Sequence, residues 1–143
     1  MIHIVDYQAG NITSVQRALT HIGVESVITA DPEELLRAEK VIFPGVGQAA
    51  SAMQVLRERG LDSALRTGFG RGTREDEEFY FVHSYYPQPA APESVNADCE
   101  YGSPFPAVIG RANLIAAQFH PEKSGPAGLR ILRNFVEWNG REG

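Results

Sequence analysis

The feature that most restricts this chain is the alternation of short β-branched runs with stretches of helical period over its first 69 residues. Ile2, Ile4 and Val5 form an apolar run that reads as a buried strand. Asn11 is a suitable N-cap for a helix over 12–22, whose apolar face is Val15, Ala18, Leu19 and Ile22, and Gly23 suits the position just past its end. Residues 24–29 read as a second strand. Asp31-Pro32-Glu33-Glu34 then starts a short helix, with a cap, a proline at the first helical position and acids in the first turn. Residues 41–43 are a third strand, followed by Pro44-Gly45-Val46-Gly47-Gln48, a helix over 49–58 and a shorter amphipathic piece over 61–69. A β-α-β-α-β-α order predicts an α/β fold whose mostly parallel sheet has flanking helices and right-handed crossovers.

The texture changes after residue 68. A glycine-rich and then acidic run, ending in Arg74-Glu75-Asp76-Glu77-Glu78, reads as a surface connection. Residues 79–86 are aromatic and β-branched enough for a strand, and residues 87–92, with three of the nine prolines, form an exposed loop. Strands over 95–101, 107–110 and 113–119 follow in hairpin-like succession, so the C-terminal half is expected to be partly antiparallel. A last helix begins near Gly125-Pro126, buries Leu129, Leu132, Phe135, Val136 and Trp138, and ends at Asn139-Gly140. No internal repeat is present, and 143 residues fit a single domain.

Composition narrows the function classes. The net charge of −5 comes without a basic run, which removes the electrostatic footprint of a nucleic-acid or anionic-membrane binder. No apolar stretch approaches the roughly 20 residues that span a bilayer, and the N-terminus lacks a basic n-region, so a cytoplasmic protein is expected. The single cysteine, Cys99, excludes an internal disulfide framework.

One stretch carries chemistry. Leu114-Ile115-Ala116-Ala117-Gln118-Phe119-His120-Pro121-Glu122-Lys123 runs from a strand into a histidine and a glutamate separated by a proline that fixes the local backbone. The arrangement suits a general base, His120, with Glu122 as the carboxylate that orients it. A strand-end histidine beside a surface glutamate is the plainer alternative. Gly45-Val46-Gly47 stands between a strand and a helix, either as a tight turn or as a loop presenting backbone N–H groups to an oxyanion.

A nucleophile is harder to find. Cys99 lies in the alternating strand Val95-Asn96-Ala97-Asp98-Cys99-Glu100-Tyr101, where acidic neighbours would raise a thiol pKa and no helix N-terminus lowers it. It reads as structural, and a cysteine hydrolase built on Cys99 and His120 is the minor alternative. None of Ser14, Ser51, Ser84 and Ser124 sits in a Gly-x-Ser-x-Gly elbow. His83 reads as a partly buried histidine of an aromatic strand, and His3 and His21 have no partner in sequence. Neither Cys-x-x-Cys nor His-x-x-x-His spacing occurs, so no metal is expected, and no dinucleotide or phosphate-loop fingerprint calls for a cofactor.

Taken together, several segments resemble a known family. Ile4-Val5-Asp6-Tyr7-Gln8-Ala9-Gly10-Asn11 with Ser14 and Ala18-Leu19, Pro44-Gly45-Val46-Gly47, Phe79-Tyr80-Phe81-Val82-His83-Ser84-Tyr85, Tyr101-Gly102 with Phe105, and Gln118-Phe119-His120-Pro121-Glu122-Lys123-Ser124 occur in the order found in the glutaminase subunits of imidazole glycerol phosphate synthase. These are class I glutamine amidotransferases. The resemblance implies a three-layer, flavodoxin-like α/β fold and a Cys-His-Glu triad that hydrolyses glutamine. The ammonia goes to a partner cyclase, a β/α barrel, in histidine biosynthesis. By matching motif it implies that His120 is the base, that Glu122 orients it, and that Gly45, Val46 and Gly47 form the oxyanion loop. His83 and Tyr85 would lie near the face that meets the cyclase.

The departure from the family is as informative. Family members carry a buried strand and a Gly-x-Cys-x-Gly elbow after the Arg-Gly-Thr that ends the equivalent of 61–69. Here Gly72-Thr73 runs through the acidic residues straight into Phe79, and Cys99 does not match the elbow. The expectation is one shortened domain over 1–143, with an internal deletion, engineered or natural, joined near 73–78. Such a chain would be catalytically inactive. It would either remain a disabled glutaminase subunit or serve as a non-catalytic, cyclase-binding scaffold, and its exposed sheet edges would favour homo-oligomers.

Overall fold

Ile2 and Ile4 are almost wholly buried, and they fix which face of the first strand points inward. A computed structural model of the chain describes residues 1–6, 11–45, 77–83, 85–111 and 113–140. The chain divides into two compact units, Met1–Arg59 and Gly60–Gly143.

In the first unit, β1 (Ile2–Val5) pairs in parallel with β2 (Ser26–Thr29) on one side and β3 (Lys40–Ile42) on the other. Helix α1 (Ile12–His21) joins β1 to β2 and buries Val15, Ala18 and Leu19, the spacing read from the sequence. It ends in a Schellman motif: the Val24 N–H donates to the Leu19 carbonyl at 2.9 Å and the Gly23 N–H to that of Thr20 at 3.0 Å. This turn needs a left-handed residue, and Gly23 supplies φ of 79°. Asn11 holds the expected N-cap place, but its amide makes no cap; its Oδ1 instead accepts from the Ser14 hydroxyl at 2.6 Å. Asp31 does cap α2 (Pro32–Arg37), accepting from the Glu33 N–H at 2.9 Å.

The second unit holds an antiparallel sheet in the order β4 (Val95–Tyr101), β5 (Ser103–Arg111), β6 (Leu114–Ala117). The expected α/β class, with parallel strands first and antiparallel strands in the C-terminal half, is therefore present. Strand β5 begins at Ser103 rather than at 107, in spite of Pro104 and Pro106. Both prolines face β4 in register, opposite Glu100 and Asp98, whereas β6 pairs only with residues from Val108 onward. Over 103–107 the outer side of β5 has no neighbouring strand among the described residues. Two prolines of the same parity can therefore direct their missing N–H groups that way without breaking a ladder.

Residues 79–83, 85 and 86 form no strand ladder, contrary to expectation. Their backbone groups meet a turn and a serine hydroxyl, described below, rather than a continuous partner strand. The unit's last helix, α3 (Gly125–Glu137), buries Ala127, Gly128, Ile131 and Leu132, so its inner face is turned from the expected one and centred on Ile131. Val108, Phe119 and Ile131 form the core there, with Phe79, Phe81, Ile115, Ala117 and Phe135 packed around them. Trp138 is buried against Leu114, Ile115 and Phe135. No helix among the described residues is long and apolar enough to cross a membrane.

Candidate active site

The site is built on the segment that joins β6 to α3. After β6 the Gln118 N–H still donates to the Ala107 carbonyl at 2.8 Å, which carries the chain one residue further along the sheet. Phe119 then turns into the core, 6% exposed, and stacks at a tilt on Phe79 with centroids 4.4 Å apart. This burial anchors the chain immediately before His120. Being followed by proline, His120 has the extended backbone expected of it, with φ of −97° and ψ of 98°. Pro121–Lys123 make one turn of 3-10 helix, which brings Glu122 back beneath the histidine ring.

Within that turn His120 Nδ1 lies 3.2 Å from Glu122 Oε1. The Glu122 side chain is 5% exposed and that of His120 is 21% exposed. A buried carboxylate is best satisfied by a donor, so the contact favours an N–H at Nδ1. His120 Nε2 is itself buried and has no hydrogen-bond partner among the described residues. The pair thus holds a buried imidazole nitrogen that no described residue engages.

Two rings flank it. His83 stacks on His120 with centroids 5.4 Å apart and planes 7° from parallel. Tyr80 meets it edge-on at 6.2 Å, and Lys123 Nζ lies 5.3 Å from the centre of the Tyr80 ring. Partial desolvation, and then the charge of the neighbouring His120, hold the His83 pKa below the usual histidine range.

The main chain of His120 is clamped at both ends. Its N–H donates to the Tyr80 carbonyl at 2.9 Å, while its carbonyl accepts from the Ser124 hydroxyl at 2.7 Å and from the Lys123 N–H at 3.0 Å. The Ser124 hydroxyl accepts in turn from the Tyr80 N–H at 3.0 Å. Upstream, Glu77 of the acidic run forms a two-pronged ion pair with Arg130 of α3, at 2.5 and 2.7 Å. Glu77 is thus docked on α3, where the sequence had suggested a surface connection.

The remaining sequence candidates fall elsewhere. Tyr85 is 88% exposed, and its carbonyl accepts from the Gln118 side chain at 3.1 Å. Gly45 is exposed beyond the end of β3, and Val46 and Gly47 lie outside the described residues. Cys99 pairs with Phe105 in the middle of β4, and no hydrogen bond among the described residues joins it to His120 or Glu122. No group of three or more His, Cys, Asp or Glu side chains suited to a metal ion occurs among the described residues. Sequence reasoning missed Tyr80 and Ser124. Tyr80 had no signal beyond its place in an aromatic run. Ser124 had no signal beyond its place at the end of the 118–124 motif.

Known proteins bear on this geometry. The family model for class-I glutamine amidotransferases matches residues 46–138. An imidazole glycerol phosphate synthase subunit HisH of Nitratidesulfovibrio vulgaris is 38% identical over 203 aligned positions, covering 94% of this chain and 95% of that protein. The HisH subunit of Bacteroides fragilis is 35% identical over 195 positions (95% and 98% covered), and that of Acinetobacter baylyi 32% over 201 (96% and 98%). Each alignment is longer than the 143-residue chain, so each relative carries residues inside the matched span that face none here. The chain belongs to the class-I glutamine amidotransferase family, among the HisH subunits of imidazole glycerol phosphate synthase.

Proposed function

We propose that this chain is a HisH-type glutaminase subunit that retains the base and orienter of the triad but lacks the cysteine nucleophile. The observation that carries the reading is the His120–Glu122 pair, hydrogen-bonded at 3.2 Å with Nε2 left open, in a chain whose single thiol lies in the middle of β4. In a complete triad Nε2 would take the proton of the attacking thiol and return it to the leaving ammonia, while Glu122 kept the ring in the right tautomer. Gly45, Val46 and Gly47 are the proposed oxyanion loop, whose N–H groups would stabilise the tetrahedral intermediate. With no nucleophile there is no acyl-enzyme, and the base can at most polarise a water molecule.

Glutamine is the proposed ancestral substrate and the cyclase the proposed partner. Exposed Tyr85, with Val82 at 56% exposure, gives the cyclase-contact reading a surface to act through. Pairing of copies through a sheet edge belongs to the same proposal, since β3 is an outer strand of its sheet among the described residues. Glutamine hydrolysis by the purified chain, alone and mixed with the cyclase, tests it. The expected result is no turnover in either case. Turnover that disappears in His120→Ala would overturn the missing-nucleophile reading.

A further inference from the structure

We propose that Ser124 is a positioning residue for the His120–Glu122 pair, a role that rests on reading His120 as the base. Ser124 stands at the N-cap of α3, where a serine hydroxyl ordinarily accepts from a free backbone N–H of the first turn and stabilises the helix by about 1 kcal/mol. Here it makes no such cap. The side chain, 8% exposed, is turned the other way. It donates to the His120 carbonyl at 2.7 Å and accepts from the Tyr80 N–H at 3.0 Å. Because the His120 N–H donates back to the Tyr80 carbonyl, the three residues close a ring of hydrogen bonds around the base.

The main chain of Ser124 holds the other half of the pair. Its N–H donates to the Pro121 carbonyl at 3.1 Å, closing the turn that carries Glu122, and its carbonyl accepts from the Gly128 N–H at 3.1 Å. One residue therefore fixes the backbone frame of His120 and the turn of Glu122 at once. Whether Nδ1 meets the carboxylate depends on the relative placement of these two frames, because side-chain rotation alone cannot correct a displaced Cα. Ser124 touches no reacting atom; it acts through His120.

The test reads the ring rather than turnover. In a long-range proton–nitrogen spectrum near pH 9, well above the usual histidine range of about 6.5, the unmodified chain shows His120 as the single Nδ1–H tautomer. Ser124→Ala averages the two ring nitrogens and speeds exchange of the Tyr80 amide roughly tenfold, the equivalent of one lost hydrogen bond. Ser124→Thr, which keeps the hydroxyl, restores both. A folded Ser124→Ala or Ser124→Val chain that keeps the single tautomer overturns the proposal. Should alanine and valine both abolish folding while threonine does not, the hydroxyl is a general fold determinant and the positioning role is likewise overturned. If the unmodified chain lacks the Nδ1–H tautomer, the reading of His120 as an oriented base fails first, before any variant is compared.

Discussion

Gly128→Ala sets two well-understood effects against each other. Within a helix, alanine is favoured over glycine by about 1 kcal/mol, so propensity alone predicts a more stable chain. A Cβ at position 128, however, would lie 1.9 Å from the Pro121 carbonyl oxygen, 2.8 Å from its carbon and 2.9 Å from Ser124 Cβ. The first two are backbone atoms and cannot rotate away. To clear them, the Pro121–Lys123 turn must move off α3, and this strains or breaks the Ser124 N–H to Pro121 carbonyl bond of 3.1 Å. Overpacking of this kind costs about 3 kcal/mol and the lost bond about 1, against the gain of about 1, leaving a net loss of about 3 kcal/mol. The chain's one tryptophan, Trp138, is buried in the same unit and reports unfolding by fluorescence. With a urea slope of about 1–3 kcal/mol/M, the midpoint should fall by roughly 1–3 M. A midpoint equal to or above that of the unmodified chain would refute the argument that this close approach holds the His120 turn in place.

Other consequences follow from the same geometry. Glu77→Gln and Arg130→Met should each destabilise the chain by about 1–2 kcal/mol, since each leaves a half-buried charge without its two-pronged partner. Their double mutant should lose less than the sum, and strict additivity in urea unfolding would show that the pair is not coupled. His83, with its folded pKa depressed, contributes stability that is complete above the unfolded value of about 6.5 and is lost as pH falls through the folded value. The sign follows because between those two values the unfolded chain binds more protons. A His120→Asn variant removes only the smaller of the two causes, so by NMR titration the His83 pKa should rise part of the way toward the usual range. No rise at all would show that the neighbouring ring's charge does not reach it.

The sequence disclosed those parts whose information is local. The buried face of α1 and its stop at Gly23 could be read because helical period and left-handed turn chemistry are written into consecutive residues. So could the Asp31 cap, and so could the approach of Glu122 to His120, because proline fixes the geometry between them. Other parts depend on distant partners. The expected strand over 107–110 omits Pro104 and Pro106, which β5 can include because β6 does not pair beside them. Residues 79–83 have the composition of a strand, but a ladder needs a continuous partner, and their groups bond to a turn and a hydroxyl instead. Position 124 reads only as a serine outside any elbow, and nothing within three residues reveals that its hydroxyl bonds to the His120 carbonyl.

On the reading proposed above, His120 and Glu122 keep their geometry without a nucleophile, and the reason is physical. Among the described residues, the contacts that hold His120 in place lie between residues 77 and 140: the Tyr80 backbone, the Phe119 anchor, the Ser124 hydroxyl, the Gly128 approach and the Glu77–Arg130 pair. None of these contacts passes through the stretch where the family's elbow would stand. On the proposed reading, loss of the nucleophile would therefore remove the covalent step without withdrawing these contacts from His120 and Glu122. It follows that the ring orientation of His120 and glutaminase activity are separable properties of this fold. A chain with no turnover can still show an ordered, singly protonated imidazole, and the two measurements must be made apart to learn which one a given substitution disturbs.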